Sequence, residues 1–273
     1  MNRINRSLLT FALLTCLFGC DATSPSDLKL INGKKIDASE FPEVVRFFSQ
    51  YFWSGTGTCS ATRVKVTEKW DIYLTSGHCV CHKKDGLAEK VYLKAGDSKI
   101  YADKYGYDRD TYNCNETNLD NAAKDVAVLM FERDADEPAL PAFEICPFSP
   151  KTGDEVVMVG YGINRLRKVE GTYKKRGAGT KRLGYNTVFN VTENLIYVKG
   201  AFSATDSSGE NASGGNGDSG GPLLMKTQDN SYCIAGVASA VTRSVEENST
   251  TTYYAIPIYE ENRPFLNSLE LLK

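Results

Sequence analysis

The sequence predicts an all-β protein, built as barrels or a sandwich, with a helix near the C-terminal end. Strand-like apolar runs recur at short spacing and are separated by turns rich in Gly, Asn, Asp and Ser, a pattern typical of antiparallel sheets. Fifteen Tyr and twelve Phe favour strands. A length of 273 residues suits one large domain or two small barrels that share a core.

The chain begins with the pattern of an export signal over residues 1–19. Two arginines precede an apolar run at residues 8–18, which is too short to span a bilayer. The run ends in Leu-Phe-Gly before Cys20, which resembles the cleavage box of bacterial lipoproteins and makes Cys20 the expected lipidation site. An ordinary secretory signal cut nearby is the alternative. We therefore expect an exported protein, secreted or anchored at the cell envelope by lipid, with residues 20–29 as a tether or propeptide.

The rest of the chain contains two sets of predicted strands. They are Glu43–Phe48, Ala61–Val66, Asp71–Thr75, Lys90–Leu93, Val126–Phe131, Glu155–Val159, Leu195–Lys199, Gly221–Met225, Tyr232–Ala238 and Tyr253–Ile258. The segment Glu132–Pro147 has three prolines and little periodicity, so we expect it to connect two halves at about 30–136 and 147–260. Apolar residues at helical spacing predict a closing helix within Tyr259–Leu271.

Charge and cysteine content narrow the class of protein. A net charge of -2 gives no reason to expect a nucleic-acid partner, which would need a basic face. Eight cysteines are present, of which Cys16 leaves with the signal and Cys20 would carry lipid. The even number that remains predicts three disulfides in an exported chain. They are formed by Cys59, Cys79, Cys81, Cys114, Cys146 and Cys233.

Three separated motifs predict acyl-transfer chemistry. His78 lies in Thr-Ser-Gly-His-Cys, Asp125 opens an apolar strand, and Ser219 lies in Gly-Asp-Ser-Gly-Gly-Pro. A serine nucleophile needs a base, and the base needs a partner that fixes its tautomer, so we assign these roles to Ser219, His78 and Asp125. The nearby glycines allow the amides of Gly217 and Ser219 to form an oxyanion hole. His82, the other histidine, is expected to be structural or at the surface.

These motifs resemble those of the trypsin/chymotrypsin-like serine proteases, and the resemblance runs from Leu30 to the C-terminus. Val159-Gly160-Tyr161-Gly162 is similar to the Gly-Trp-Gly segment of the family, and Leu30-Ile31-Asn32-Gly33 is similar to its mature N-terminus. The resemblance implies two six-stranded antiparallel β-barrels with the site between them. It also implies a serine endopeptidase that needs no cofactor or metal, acts on proteins or peptides and is a monomer.

The resemblance further implies activation by proteolysis. A cut after Lys29 would free the α-ammonium group of Leu30 to pair with Asp218 and order the oxyanion hole. If Cys20 is lipidated, the same cut would release the catalytic domain from its anchor. The alternative is that Lys29 is simply a linker charge.

The resemblance also assigns the residues that bind substrate. Ser213 stands at the base of the primary pocket, Val241 on one wall and Thr252 (or Thr251) on the other, while Ser239 lies against the catalytic Asp. This set is similar to an elastase pocket and implies cleavage after small apolar residues such as Ala or Val. Such an enzyme would not cut efficiently after lysine, so we expect a separate trypsin-like activating protease.

The disulfide pairs follow the resemblance in part. It implies Cys59–Cys79; the further expected pairs are Cys81–Cys114 and Cys146–Cys233. The alternative joins Cys20 to Cys146 and leaves Cys233 single. Gly215 and Met225 occupy positions at which the family often has cysteine.

Two other features are open to more than one interpretation. Residues 165–182 contain eight basic residues and one acid; a flexible solvated loop is expected, and contact with anionic lipid or a protein partner is the alternative. A non-catalytic binding or adhesion protein on the trypsin fold is the rival function, because a fold does not imply an activity. The presence of all three predicted catalytic residues argues against it.

Overall fold

The computed structural model describes residues 30–272, except 135–137, 139, 164, 170–171 and 203–207, and gives only the backbone of residues 165–169 and 172–176. The described chain has 46% strand and 6% helix, which confirms the predicted all-β class. The strands are β1 (Lys34–Lys35), β2 (Val44–Tyr51), β3 (Gly55–Val66), β4 (Trp70–Thr75), β5 (Cys81–His82), β6 (Gly86–Leu87), β7 (Lys90–Ala95), β8 (Ser98–Tyr101), β9 (Lys104–Tyr107), β10 (Ala127–Glu132), β11 (Glu144–Ile145), β12 (Glu155–Gly160), β13 (Arg165–Val169), β14 (Thr172–Arg176), β15 (Arg182–Thr187), β16 (Asn190–Val191), β17 (Leu195–Ala201), β18 (Pro222–Lys226), β19 (Tyr232–Ser244) and β20 (Ser249–Ala255).

Helical structure within the described residues is short. It consists of α1 (Leu119–Ala123), α2 (Arg263–Ser268) and a single 3-10 turn at Gly77–Cys79. The helix predicted within Tyr259–Leu271 is therefore present as α2 but spans only six residues. Asn262 at its N-terminus is buried, and its Nδ2 donates to the carbonyls of Ala123 and Ile256 at 2.9 Å each. The side-chain amide of Asn262 thus links the start of α2 to Ala123, two residues before Asp125.

The first sheet has seven strands in the order β8-β7-β2-β3-β4-β10-β9, and all its neighbours are antiparallel. Alternation along β2 shows why this segment forms a strand. Phe47, Ser49 and Tyr51 are buried, whereas Phe48 and Gln50 are partly exposed, as a period of two residues requires. The sheet closes over a core that includes Phe47 and Leu129.

The second sheet has nine strands, with β1-β15-β12-β18-β19-β20-β17-β16 in order and β11 beside β19. In β17 the buried Ile196 and Val198 alternate with the partly exposed Tyr197 and Lys199. A further core joins the two sheets, in which Leu74 of the first packs in one cluster with Val157 and Leu224 of the second. The sheets have seven and nine strands rather than six each, because short edge strands extend them.

Every predicted strand overlaps an observed one, but the prediction missed the strands between 165 and 187. β13 and β14 pair with each other as an antiparallel ribbon, and β15 is a full member of the second sheet. The expectation of a flexible loop at residues 165–182 is therefore wrong, since most of this segment is paired backbone. The predicted strand at Tyr253–Ile258 also starts earlier and ends at Ala255.

The structure contains the three disulfides that were expected. They are Cys59–Cys79, Cys81–Cys114 and Cys146–Cys233. Because Cys146 is bonded to Cys233, the alternative bond to Cys20 is not formed. Cys20 itself lies outside the described residues, as do the predicted signal, the tether and Lys29. None of the helices in the described ranges has the length and apolar character needed to span a bilayer.

Candidate active site

The turn that carries His78 is held from several sides. It follows directly after β4, and the neighbouring Cys79 is bonded to Cys59 of β3. The carbonyl of Cys79 accepts hydrogen bonds from Ser49 Oγ at 2.5 Å and Tyr51 Oη at 3.1 Å. These contacts fix the backbone at His78 and leave its side chain about one-third exposed at the surface.

Asp125 is the partner of His78. Its carboxylate is buried, accepts from His78 Nδ1 at 2.6 Å through Oδ2 and accepts from the His78 amide at 2.8 Å through Oδ1. Ser239 Oγ also donates to Oδ2 at 2.6 Å. Donation from Nδ1 places the free lone pair of a neutral imidazole on Nε2, where a base needs it.

The pKa of His78 reflects this partner. Burial favours the neutral imidazole and would lower the pKa, but the charge of Asp125 and its hydrogen bond together raise it above the ordinary histidine value. Asp125 therefore both selects the tautomer of His78 and stabilises the imidazolium that forms when the ring takes a proton.

Ser239 reaches Asp125 because of an irregularity in β19. The pairing of β19 with β20 shifts register between Ala238 and Ala240, so Ser239 has no partner across the ladder. A bulge of this kind turns a side chain out of the regular alternation. Here the bulge directs the hydroxyl of Ser239, in the second sheet, to the carboxylate of Asp125, which lies just before β10 of the first sheet.

Ser219 lies in a tight turn, residues 215–220, which we call the oxyanion loop. Gly217 and Gly220 have φ of 99° and 78°, a region that favours glycine. Ser60 of β3 fixes the loop from the other sheet, because its amide donates to Ser219 O at 2.9 Å and its Oγ donates to Gly217 O at 3.0 Å. Within the described ranges the amides of Gly217 and Ser219 donate to no protein group, so both remain available to an anion.

Asp218 supports the oxyanion loop from beneath. Its buried carboxylate accepts from the amide of Gly162 at 2.7 Å and from that of Gly215 at 2.8 Å. Burial raises its pKa to about 6, opposed by the two amide hydrogen bonds and by the positive charge of Arg182. Leu30, its expected partner, is buried, and Ile31 bridges to Ser213 through two backbone hydrogen bonds of 3.0 and 3.1 Å.

Comparison with known families agrees with this geometry. The family model described as Trypsin matches residues 31–261. The chain belongs to the trypsin family. No curated protein matches it. As a trypsin-family serine protease, it is a hydrolase that acts on proteins or peptides.

The trypsin-family site opens onto a cavity of about 180 Å³. His78 and Ser219 both line it, although Ser219 Oγ makes no hydrogen bond to His78 in the described chain. Catalytic hydrogen bonds are often long before substrate binds. The remaining lining residues are Gly214, Gly215, Asn216, Asp218, Ala238, Ser239, Ala240, Val241 and Thr252.

The predicted pocket residues differ in their relation to this cavity. Val241 and Thr252 line it and are directly paired between β19 and β20, so their side chains project on one face. Thr252, rather than Thr251, is the lining residue, and its Oγ1 accepts from the amide of Gly214 at 2.8 Å. Ser213 is not among the lining residues, because its Oγ donates to the carbonyl of Ala201 behind the pocket.

His82 takes part in a separate contact. Its Nδ1 lies 2.9 Å from Ser54 Oγ and 3.1 Å from Asp85 Oδ2, while the amide of Trp53 donates to Asp85 at 2.7 Å. These bonds secure the hairpin between β2 and β3. One group in the described chain has the spacing of metal ligands, namely Cys59, His78 and Cys79, but its two sulfurs are already bonded to each other.

Sequence reasoning missed three residues of the trypsin-family site. Ser60 holds the oxyanion loop. Tyr112 packs beside Asp125, and burial, followed by the charge of Asp125, raises the pKa of its phenol. Arg182 is fully buried and acts electrostatically on Asp218. None of the three lies in a motif, and their roles depend on long-range packing that no local pattern reports.

Proposed function

We propose that this trypsin-family protein is an exported serine endopeptidase with the triad Ser219, His78 and Asp125. The observation that carries the proposal is the bond between His78 Nδ1 and Asp125 Oδ2, 2.6 Å long. It directs Nε2 away from Asp125, and His78 and Ser219 line one cavity. The rival function, a non-catalytic binding protein, needs no such arrangement.

The reaction follows from these groups. Ser219 Oγ attacks the peptide carbonyl while His78 Nε2 takes its proton, and the imidazolium then returns the proton to the leaving amine. The amides of Gly217 and Ser219 donate to the oxyanion, a contribution of about 3 kcal/mol for each donor. Water then attacks the acyl-enzyme by the same route. Asp125 stays ionised throughout and orients the ring.

The shape of the cavity supports a preference for small residues before the scissile bond. The paired side chains of Val241 and Thr252 narrow a space of about 180 Å³, and the acidic residue in its lining, Asp218, is bound to the amides of Gly162 and Gly215. We infer cleavage after Ala or Val. The preference is graded, since one methylene in an apolar pocket is worth about 1–3 kcal/mol.

Maturation belongs to the same proposal. We infer export by the signal at residues 1–19, lipid attachment at Cys20 and cleavage after Lys29 by a trypsin-like protease. The cut would separate the catalytic domain from its anchor. It would also leave Leu30 as a new N-terminus beside the bridge between Ile31 and Ser213.

A fluorophosphonate probe tests the reaction. Protein cleaved after Lys29 should label at Ser219, while Ser219→Ala and His78→Ala should not. Peptide substrates with Ala or Val before the scissile bond should be cut faster than those with Lys or Phe. If the cleaved protein does not label under conditions that label a control protease, the binding-protein alternative is correct.

Mass spectrometry of the native N-terminus tests the maturation. A diacylglyceryl mass on Cys20 supports the lipid anchor, and a chain that begins at Leu30 supports the cut. Purified precursor that matures itself at Lys29 would contradict the assigned preference for small residues.

A further inference from the structure

Arg182 is a cation in the interior of the second sheet. It lies at the start of β15, directly opposite Gly160 of β12, and its side chain is fully buried. Burying a guanidinium is unfavourable unless an anion compensates it. Arg182 therefore needs a buried anion near it, and Asp218 is a buried carboxylate on which its charge acts.

The register of the two strands places Arg182 on the same face as Asp218. Residues directly opposite each other in an antiparallel pair project on one face of the sheet. A Cβ atom at Gly160 would collide with Oδ1 of Asp218, so the face of the sheet shared by Gly160 and Arg182 is the face on which Asp218 lies. The charge of Arg182 also opposes the rise in the pKa of Asp218 that burial causes.

We propose that Arg182 is a positioning residue that supplies Asp218 with an internal cation and holds the oxyanion loop in its reactive form before any cut after Lys29. The inference rests on the proposed function. It adds that the uncleaved chain has activity of its own. Cleavage then adds a second cation, the α-ammonium of Leu30, to a loop that is already formed.

The contacts of Asp218 support this role. Its carboxylate accepts from the amide of Gly215 in the oxyanion loop and from that of Gly162. Gly162 lies two residues after Gly160, the end of β12 that pairs with Arg182. A cation at Arg182 therefore acts on the carboxylate that holds the loop.

The test compares cleaved and uncleavable protein. In a Lys29→Gln full-length chain, fluorophosphonate labelling of Ser219 should proceed, and adding Arg182→Met should slow it at least about tenfold, because an uncompensated buried carboxylate is strongly unfavourable. Arg182→Lys should restore much of the rate. In protein with native Lys29, cleaved to expose Leu30, Arg182→Met should slow labelling far less, since the new ammonium supplies the charge.

The control is Arg63→Met in the same Lys29→Gln chain. Arg63 is also buried, but it lies in the first sheet beside Asp71 and Tyr73. It should change labelling of the cleaved and uncleaved forms by the same factor. If Arg182→Met also affects both forms equally, or neither, Arg182 is not the internal cation of Asp218.

Hydrogen exchange of residues 215–220 decides the matter even if Arg182→Met fails to fold. With Arg182 intact, the uncleaved and cleaved chains should show similar protection in this loop. Much faster exchange in the uncleaved chain would overturn the inference. This measurement also separates the inference from the proposed function: cleaved wild-type protein that does not label refutes the protease, while the exchange comparison still tests whether the oxyanion loop is formed before the cut.

Discussion

Asp125 sets the protonation behaviour of His78, and this property can be measured. Replacing Asp125 with Asn removes the charge that raises the pKa of His78 and permits the wrong tautomer. We expect kcat/KM to fall about ten-thousand-fold. Activity requires neutral His78, so it rises as pH increases through that pKa. The acid limb should therefore move to lower pH in Asp125→Asn, measured by kcat/KM against pH.

The control for this prediction is Asp120→Asn. Asp120 lies in α1, five residues before Asp125, and its exposed carboxylate pairs with Lys124. The rate and the pH profile should remain close to wild type. An unchanged acid limb in Asp125→Asn would show that Asp125 does not set the pKa of His78.

The bond from Ser239 to Asp125 gives a second prediction for a single residue. Ser239→Ala leaves a buried carboxylate with one donor fewer, which costs about 1–3 kcal/mol. We expect kcat to fall roughly tenfold with little change in KM, because the lost hydroxyl points to Asp125 rather than to substrate. Ser239→Thr keeps a hydroxyl and should retain most of the rate. Full kcat in Ser239→Ala would refute this role.

Motifs allowed single residues to be assigned from the sequence. The structure joins His78 to Asp125 and brings His78 and Ser219 to one cavity, and the catalytic roles of the three stay a prediction. Ser60 and Arg182 could not be assigned, since each acts on the oxyanion loop from a distant strand. Their roles follow from which strands pair, and sequence spacing does not report that pairing.

At the scale of an element, the 3-10 turn of His78 has no room for a larger residue before the histidine. A Cβ at Gly77 would lie 2.8 Å from the ring of Tyr112 and 3.1 Å from Asp125 Oδ1. Gly77→Ala should lower the free energy of unfolding by about 1–3 kcal/mol and reduce kcat by displacing Asp125. Thermal unfolding and steady-state kinetics measure the two effects.

Gly106→Ala is the matched control for this turn. Gly106 lies in β9 with nothing near its Cβ position, so both stability and kcat should stay near wild type. If Gly77→Ala behaves like Gly106→Ala, the turn has more freedom than the packing against Tyr112 indicates.

Val241 of β19 and Thr252 of β20 are directly paired and line the cavity beside Ser219. Val241→Gly should remove one wall and raise kcat/KM for Phe before the scissile bond, relative to Ala, by at least about tenfold. Thr242→Gly is the control, because Thr242 projects on the other face and contacts Tyr253. A preference that Val241→Gly leaves unchanged would mean that this residue does not define the pocket.

The ribbon β13–β14 and the strand β15 show where element prediction failed. A dense run of basic residues favours an exposed, solvated segment, and this signal alone predicted a loop at residues 165–182. Residues 165–169 instead pair with residues 172–176 as a local ribbon, and pairing with the second sheet begins at Arg182, opposite Gly160.

At the scale of the whole molecule, we expect one disulfide to affect mainly catalysis and another to affect mainly stability. Cys59–Cys79 closes a separation of 20 residues beside His78, whereas Cys146–Cys233 closes one of 87 and lies in a hydrophobic core cluster of the second sheet. Replacing Cys146 and Cys233 with Ala should lower the free energy of unfolding by about 2–5 kcal/mol and spare the kcat of folded protein. Replacing Cys59 and Cys79 should reduce kcat more and stability less. The opposite order in denaturant unfolding and kinetics would contradict this division.

The overall architecture was predictable because the sequence shows both signals that indicate it, the strand-like runs and the family motifs. Strand-like apolar runs, as in β2 and β17, identified ten of the twenty strands of the described chain, and the family motifs implied that two sheets enclose the site. The exact strand count was not predictable, since edge strands such as β1 and β8 depend on neighbours rather than on their own sequence. The pocket was only partly predicted, because Ser213 faces Ala201 instead of the cavity.

The oxyanion loop has backbone packing where many of its relatives have sulfur. A Cβ at Gly215 would strike the carbonyl of Ile163, so the loop has no space for a bridging cysteine and takes its shape without oxidation. The turn of His78, in contrast, is stapled by Cys59–Cys79, a bond that does not persist in a reducing cytoplasm. Reduction of this bond would release the turn of His78 from β3, while the backbone packing of the oxyanion loop would remain. The proposed export would therefore place the completion of the catalytic site after the chain has left the cytoplasm.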